Sequence, residues 1–229
     1  MTAERPFSLP RWVGFVVVGE SVGFLIPLSG FALTWWLGLA PWAGWLLAVC
    51  LGLGEGAVLG LAQARALVGT AVEVPVRRWV AVTALAAALA WSIGMAPSTL
   101  IESGVEIDVG RPLTWAAFGG GGLILLLTIP AAQWTVLRQV LARAWRWVPL
   151  NVVAWLVGLT FTLLPSPFVD ESTPPAQLAV LFALGGVAMA AVVAVVTGLG
   201  LRRMLGAGRP GAGRPGAGQD GMVDGAPSL

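Results

Sequence analysis

The tripeptide Arg-Trp-Val stands at Arg11-Trp12-Val13, Arg78-Trp79-Val80 and Arg146-Trp147-Val148, and each copy opens a long apolar run. Spacings of 67 and 68 residues make the chain a tandem triplication, so its fold must be built from copies of one supersecondary unit. A second set of landmarks keeps the same interval. Pro41, Pro112 and Pro175 each start another apolar run, and 21 or 22 residues later stand Gln63, Gln133 and Thr197. The repeating unit is therefore a pair of apolar segments, a hairpin.

What solvent such a unit needs follows from composition. Hydrophobic residues make up 57% of the chain and charged residues only 10%, with a mean hydropathy of +0.86. Ordinary soluble domains carry about 25% charged residues, so this chain has more apolar surface than a soluble core can hide. Six segments, at roughly 12–37, 42–67, 79–100, 113–137, 147–168 and 177–201, meet the length of about 20 residues that a spanning helix requires. Helices are expected because lipid offers backbone polar groups no other partner. The expected class is an all-α integral membrane protein of six transmembrane helices, arranged as three tandem hairpins in a parallel pseudo-threefold repeat. Residues 1–10 form an N-terminal extension and 11–205 the transmembrane domain, with repeats at about 11–77, 78–145 and 146–205. Whether the hairpins close into a ring or fan open is not set by the repeat.

Arginine placement gives the orientation. Arg5 and Arg11 precede the first segment, Arg65, Arg77 and Arg78 lie between the second and third, Arg138, Arg143 and Arg146 lie between the fourth and fifth, and Arg202, Arg203, Arg209 and Arg214 follow the sixth. Twelve of the thirteen cations thus fall on one side, which the positive-inside rule makes cytoplasmic, with both termini there. The opposite loops hold Glu102, Glu106, Asp108, Asp170 and Glu171, with Arg111 as their cation. The spacing of Glu102, Glu106 and Asp108 is not that of a calcium loop. The basic face predicts contact with anionic lipid headgroups and not with nucleic acid. Tryptophans follow the same topology: Trp12, Trp79, Trp134, Trp145 and Trp147 mark the inner ends of segments and Trp35, Trp36, Trp42, Trp45 and Trp115 the outer ends, as interfacial anchors do. Only Trp91 and Trp155 fall within the span. The first segment is about twice the length of a signal-peptide core and belongs to the repeat, so it is read as a retained helix of a multi-pass bacterial inner-membrane protein.

Absences narrow the chemistry. Cys50 is alone and lies inside the second segment, and the chain has no histidine, so neither a disulfide framework nor the commonest metal and haem ligand is available. No nucleophile–base pair or phosphate-binding glycine loop is present. No cofactor, no metal and no enzymatic activity are expected. The tail at 206–229, which contains Gly-Ala-Gly-Arg-Pro twice, is too poor in apolar bulk to fold and is read as a disordered cytoplasmic segment.

Helix contacts are foreshadowed by small residues. Gly52, Gly56, Gly60 and Gln63 fall on one face of the second segment, and Gly186, Ala190, Ala194 and Thr197 repeat that spacing on the sixth. Such ridges allow close approach, with the polar residue bonding across the contact. The fourth keeps Gly122 and Gln133 but has Leu126 and Pro130 between them, which predicts an imperfect ridge and a kinked inner end. Its run Gly119–Gly122 would admit a backbone or a ligand closely. Pro27, Pro97 and Pro165 lie toward the outer ends of the odd segments.

The pieces Gly60-Leu61-Ala62-Gln63 and Ala132-Gln133-Trp134-Thr135-Val136-Leu137-Arg138, followed by Arg146-Trp147-Val148, resemble the Gly-x-x-Gln-Trp-x-x-Leu-Arg signature of a family of small, uncharacterised bacterial polytopic membrane proteins with tandem hairpin repeats. The resemblance covers residues 11 to 203 and departs at Ala64 and Val68 in the first repeat and at Thr197-Gly198 in the third. It implies architecture and no chemistry. The three-hairpin plan is also similar to that of mitochondrial solute carriers, but their Pro-x-acidic-x-x-basic motif is absent, so the likeness is one of plan alone.

Two residues break the repeat. Glu20 lies eight residues beyond Trp12 and Glu55 eight residues before Gln63, which in an antiparallel hairpin puts both about 12 Å from the same face. The positions equivalent to Glu20 hold Ala87 and Trp155, and those equivalent to Glu55 hold Leu125 and Met189. An ionisable group at that depth costs roughly 2.5 to 3.5 kcal/mol and by default marks a functional site. The pair is the candidate proton or cation site, with Ser21, Gln63, Gln133, Asn151 and Thr197 as secondary polar candidates. Thr83, Ser92 and Thr160 are further cavity candidates, although such hydroxyls usually bond their own backbone. Two readings follow: a small proton- or cation-coupled transport or permeation protein, or a non-catalytic membrane scaffold or subunit that binds lipid or a partner. Oligomeric state and protein partner stay open.

Overall fold

The computed structural model describes residues 4–164, 166–169 and 173–206. The tail from residue 207, with Arg209 and Arg214, lies outside the described residues, as do Pro165, Asp170 and Glu171. Among the described residues six α-helices follow in order: α1 (Leu9–Leu37), α2 (Pro41–Leu67), α3 (Val76–Glu102), α4 (Pro112–Leu137), α5 (Trp147–Thr162) and α6 (Pro175–Gly206). Among the described residues there is no strand, only an isolated bridge between Arg5 and Thr70.

Local chemistry sets the helix ends. Ser8 caps α1 by accepting the Arg11 backbone N–H at 3.4 Å, and proline occupies the first turn of α1, α2 and α4, where its missing N–H is not needed. Gly38 ends α1 at φ +58°, the left-handed conformation that glycine adopts without penalty. Pro27, Pro97 and Pro130 are carried inside α1, α3 and α4. The fifth segment is not one continuous helix over 147–168. α5 stops at Thr162, and a separate three-ten turn forms at Ser166–Phe168. The residue before a proline disfavours the helical region, and Leu164 precedes Pro165 in the sequence.

All six apolar stretches, counting the fifth as the run Ala144–Phe168, are long enough to cross a membrane. Their outward faces are apolar too: Trp35, Leu113, Val18 and Leu85 are all more than 60% exposed. Water would penalise such a surface, whereas lipid does not, and together these features describe a multi-pass membrane protein.

Each helix packs on the next in the chain, and α6 packs on α1, so the order of contacts closes on itself. Glycine sets the closest approaches. A Cβ on Gly56 would lie 2.8 Å from the Ala84 Cα and the Thr83 carbonyl of α3, and one on Gly198 would lie 2.6 Å from the Trp12 ring of α1. Gly158 brings α5 against Met189 and Val193 of α6 in the same way. α4 is the loosest member. Its buried residues, Pro130, Gln133, Val136 and Leu137, all lie in its last two turns. The main core lies at the end where odd helices begin and even helices finish, built on Trp12, Leu67, Trp79, Leu137, Trp147 and Leu201.

Candidate functional site

At that end the indoles of Trp12, Trp79 and Trp147 meet inside the bundle. Trp147 lies with its ring centroid 6.1 Å from Trp12 and 6.4 Å from Trp79, and each of the three is at most 1% exposed. These three are therefore not interfacial anchors facing lipid, as their position at helix ends predicted. They face inward because each indole N–H finds an acceptor on the helix that precedes it around the ring. Trp79 donates to Gln63 Oε1 at 3.1 Å, Trp147 to Gln133 Oε1 at 3.0 Å, and Trp12 to Thr197 Oγ1 at 3.2 Å. Gln133 Nε2 then donates to Gln63 Oε1 at 2.7 Å and to Thr83 Oγ1 at 3.1 Å, joining α2, α3 and α4. Buried polar groups in lipid need such partners, and here donors and acceptors answer one another. Trp35, Trp36, Trp42, Trp115 and Trp145 are exposed, consistent with anchoring at an interface.

Beyond this layer lies a cavity of about 440 Å³ to which all six helices contribute. Glu20, Ala87 and Trp155 line it, and so do Glu55, Leu125 and Met189. These are the six positions eight residues from the repeated tryptophan or from the repeated polar residue. At 1.5 Å per residue they stand about 12 Å along their helices from the tryptophan layer. The deepest lining residues, Glu20, Leu59, Ala87 and Met189, are at most 5% exposed, while Phe24, Leu159 and Phe182, one to two turns farther from the layer, are 40–45% exposed. The wall is thus buried at its floor, near the tryptophan layer, and more exposed away from it.

Among the described residues, Glu20 and Glu55 are the only ionisable side chains in the wall. Gly23 brings them together: it lies one turn beyond Glu20 on α1, and a Cβ there would stand 3.3 Å from Glu55 Cγ. Glu55 Oε2 accepts the Trp91 indole N–H at 2.5 Å. Glu20 is 4% exposed, and its Oε2 has no hydrogen-bond partner among the described residues. A buried carboxyl oxygen without a partner, on a residue of the cavity wall, is an unmet demand for a donor.

The secondary candidates are distributed otherwise. Gln63, Gln133 and Thr197 belong to the tryptophan layer and do not line the chamber. Asn151 is buried and turns its amide back to the Trp147 carbonyl at 2.9 Å, and the buried Ser21 Oγ is unpartnered but outside the cavity wall. Ser92 and Thr160 bond carbonyls of their own helices, and Thr83 serves the Gln133 amide. On the packing ridges, Gly52, Gly56 and Gly60 meet α3, and Ala190 and Ala194 are fully buried, whereas a Cβ at Gly122 or Gly186 would meet nothing within 4 Å. Gly186 lines the chamber instead. Trp91 as a partner of Glu55 was not anticipated, although its place in mid-span, away from both interfacial belts, was the available signal. Compared with known families, curated proteins and solved structures, the chain matches none.

Proposed function

We propose that this chain is a bacterial inner-membrane protein of three pseudo-threefold hairpins that carries protons or another cation through its central chamber, using Glu20 and Glu55 as the binding carboxyls. The observation that carries this reading is the chamber itself: six helices surround a space whose only ionisable groups, among the described residues, are two carboxyls absent from the other repeats. A pair that merely tied α1 to α2 would need no cavity beside it. The arginines at the tryptophan end support an orientation in which the floor and both termini are cytoplasmic and the mouth faces out. Those arginines also offer anionic headgroups a basic rim. No covalent step is assigned, and the protein is read as a non-enzyme. A scaffold or partner-binding role is favoured by one feature alone, the glycine run Gly119–Gly122 on α4, where a Cβ at Gly119, Gly120 or Gly122 would meet no described atom within 4 Å.

Reconstituted vesicles and infrared spectra distinguish the two. The protein in lipid should show a carboxyl band that changes between about pH 4 and 9 and is altered by Glu20→Gln and by Glu55→Gln. It should also dissipate an imposed pH gradient faster than either variant. Equal leak from wild type and both variants, with no titrating band, would sink the transport reading and leave the scaffold.

A further inference from the structure

The composition of the chamber wall points to a class of occupant, in a step that rests on the transport reading and goes beyond it. A small inorganic cation needs a shell of several oxygens, six to eight for a calcium ion. The side chains of the wall offer the oxygens of two carboxyls, one of them already accepting from Trp91, and the Thr162 hydroxyl, which donates to the Leu159 carbonyl. The rest is apolar or aromatic, with Phe24, Trp91, Trp155 and Phe182 among it. A compact ion stripped of water would be under-coordinated there, and an anion would meet two carboxyls.

An organic cation fits on each count. Its charge is diffuse and weakly hydrated, so it enters an apolar space at little cost, and indole rings near it add cation–π attraction. A volume of about 440 Å³ lies within the range of pockets for small organic molecules, which are apolar with a few placed polar groups. The repeat supplies the arrangement at the level of Glu20, where the three equivalent positions present a carboxyl, the small Ala87 and the indole of Trp155. We propose that the chamber binds a monovalent organic cation with a large apolar body, its charge met by the carboxyls of Glu20 and Glu55 and by the indole of Trp155 in the same wall.

The test uses labelled tetraphenylphosphonium and the full chain in lipid nanodiscs, with empty discs subtracted. Saturable binding is expected, competed by unlabelled tetraphenylphosphonium and not by tetraphenylborate, which has the same shape and opposite charge. Glu20→Gln with Glu55→Gln should weaken it by about tenfold or more, and Trp155→Leu by about threefold. Gly186→Leu leaves both carboxyls in place and fills the chamber where a Cβ meets no atom within 4 Å, so it too should abolish binding in a protein that folds. Absence of saturable binding, equal competition by tetraphenylborate, or binding unchanged in both the double variant and Gly186→Leu overturns the proposal. If the carboxyl band still titrates while binding is absent, the transport reading stands and only the organic cation falls. If neither is seen, both fall together.

Discussion

Gln133 has no exposed surface and every part of its amide is engaged: Nε2 serves Gln63 and Thr83, and Oε1 accepts from Trp147. Replacing it by leucine keeps the bulk and strands the Trp147 N–H in an apolar interior. Gln133→Leu should therefore destabilise the protein by about 1 to 2 kcal/mol, less than the sum of bonds removed because helices in lipid find substitute partners. Reversible unfolding in mixed micelles measures it, and an unchanged midpoint would mean that the layer is not cooperative. At this scale the sequence was legible wherever a residue broke or kept the repeat. Glu20 and Glu55 stood out because their equivalents are apolar, and Gln63 and Gln133 because they recur. What the sequence did not disclose is which donor each acceptor meets. Trp79 lies 16 residues after Gln63, and Trp12 lies 185 before Thr197, so no local spacing could reveal both partnerships.

Helices inherit their contacts from faces, and periodicity names a face without naming its neighbour. On α2 the glycine ridge meets α3 so closely that even alanine at Gly56 would press within 2.8 Å of α3 backbone atoms. On α4 the ridge glycine that remains, Gly122, faces open space, since the buried residues of that helix lie in its final turns. The two sites should respond with opposite signs. Gly56→Ala should cost about 1 to 3 kcal/mol by forcing α2 from α3, while Gly122→Ala should be neutral or stabilise by up to about 1 kcal/mol through helix propensity. Thermal aggregation followed by size-exclusion chromatography compares them, and similar losses at both sites would contradict the packing described for α4. Proline shows the same limit of legibility. Pro41 and Pro112 announced helix starts correctly, and Pro27 and Pro97 are tolerated inside helices, yet α5 ends before Pro165. Pro27 is buried within α1 and Pro97 half-buried within α3, and in local sequence the three prolines look alike.

For the whole molecule, hydropathy made the six spans readable, and the proposed sidedness is testable by cysteine labelling. In a Cys50→Ala background, Glu106→Cys should react with a membrane-impermeant maleimide in intact cells and Gln139→Cys only after permeabilisation. Both positions are exposed, and they lie at opposite ends of the bundle, so the reverse pattern would invert the orientation. The cyclic contact order was left undecided by the repeat and is settled by α6 packing on α1, where Trp12 meets Thr197 and Gly198. That seam also has a consequence in time. Ribosomes add about 5 to 20 residues each second, so Trp12 waits about 10 to 40 s for a partner 185 residues downstream. During that interval the first hairpin stands in the bilayer with its two carboxyls and no opposite wall. Its biogenesis therefore passes through a stage in which acidic groups later enclosed by six helices are open to whatever attends a nascent chain.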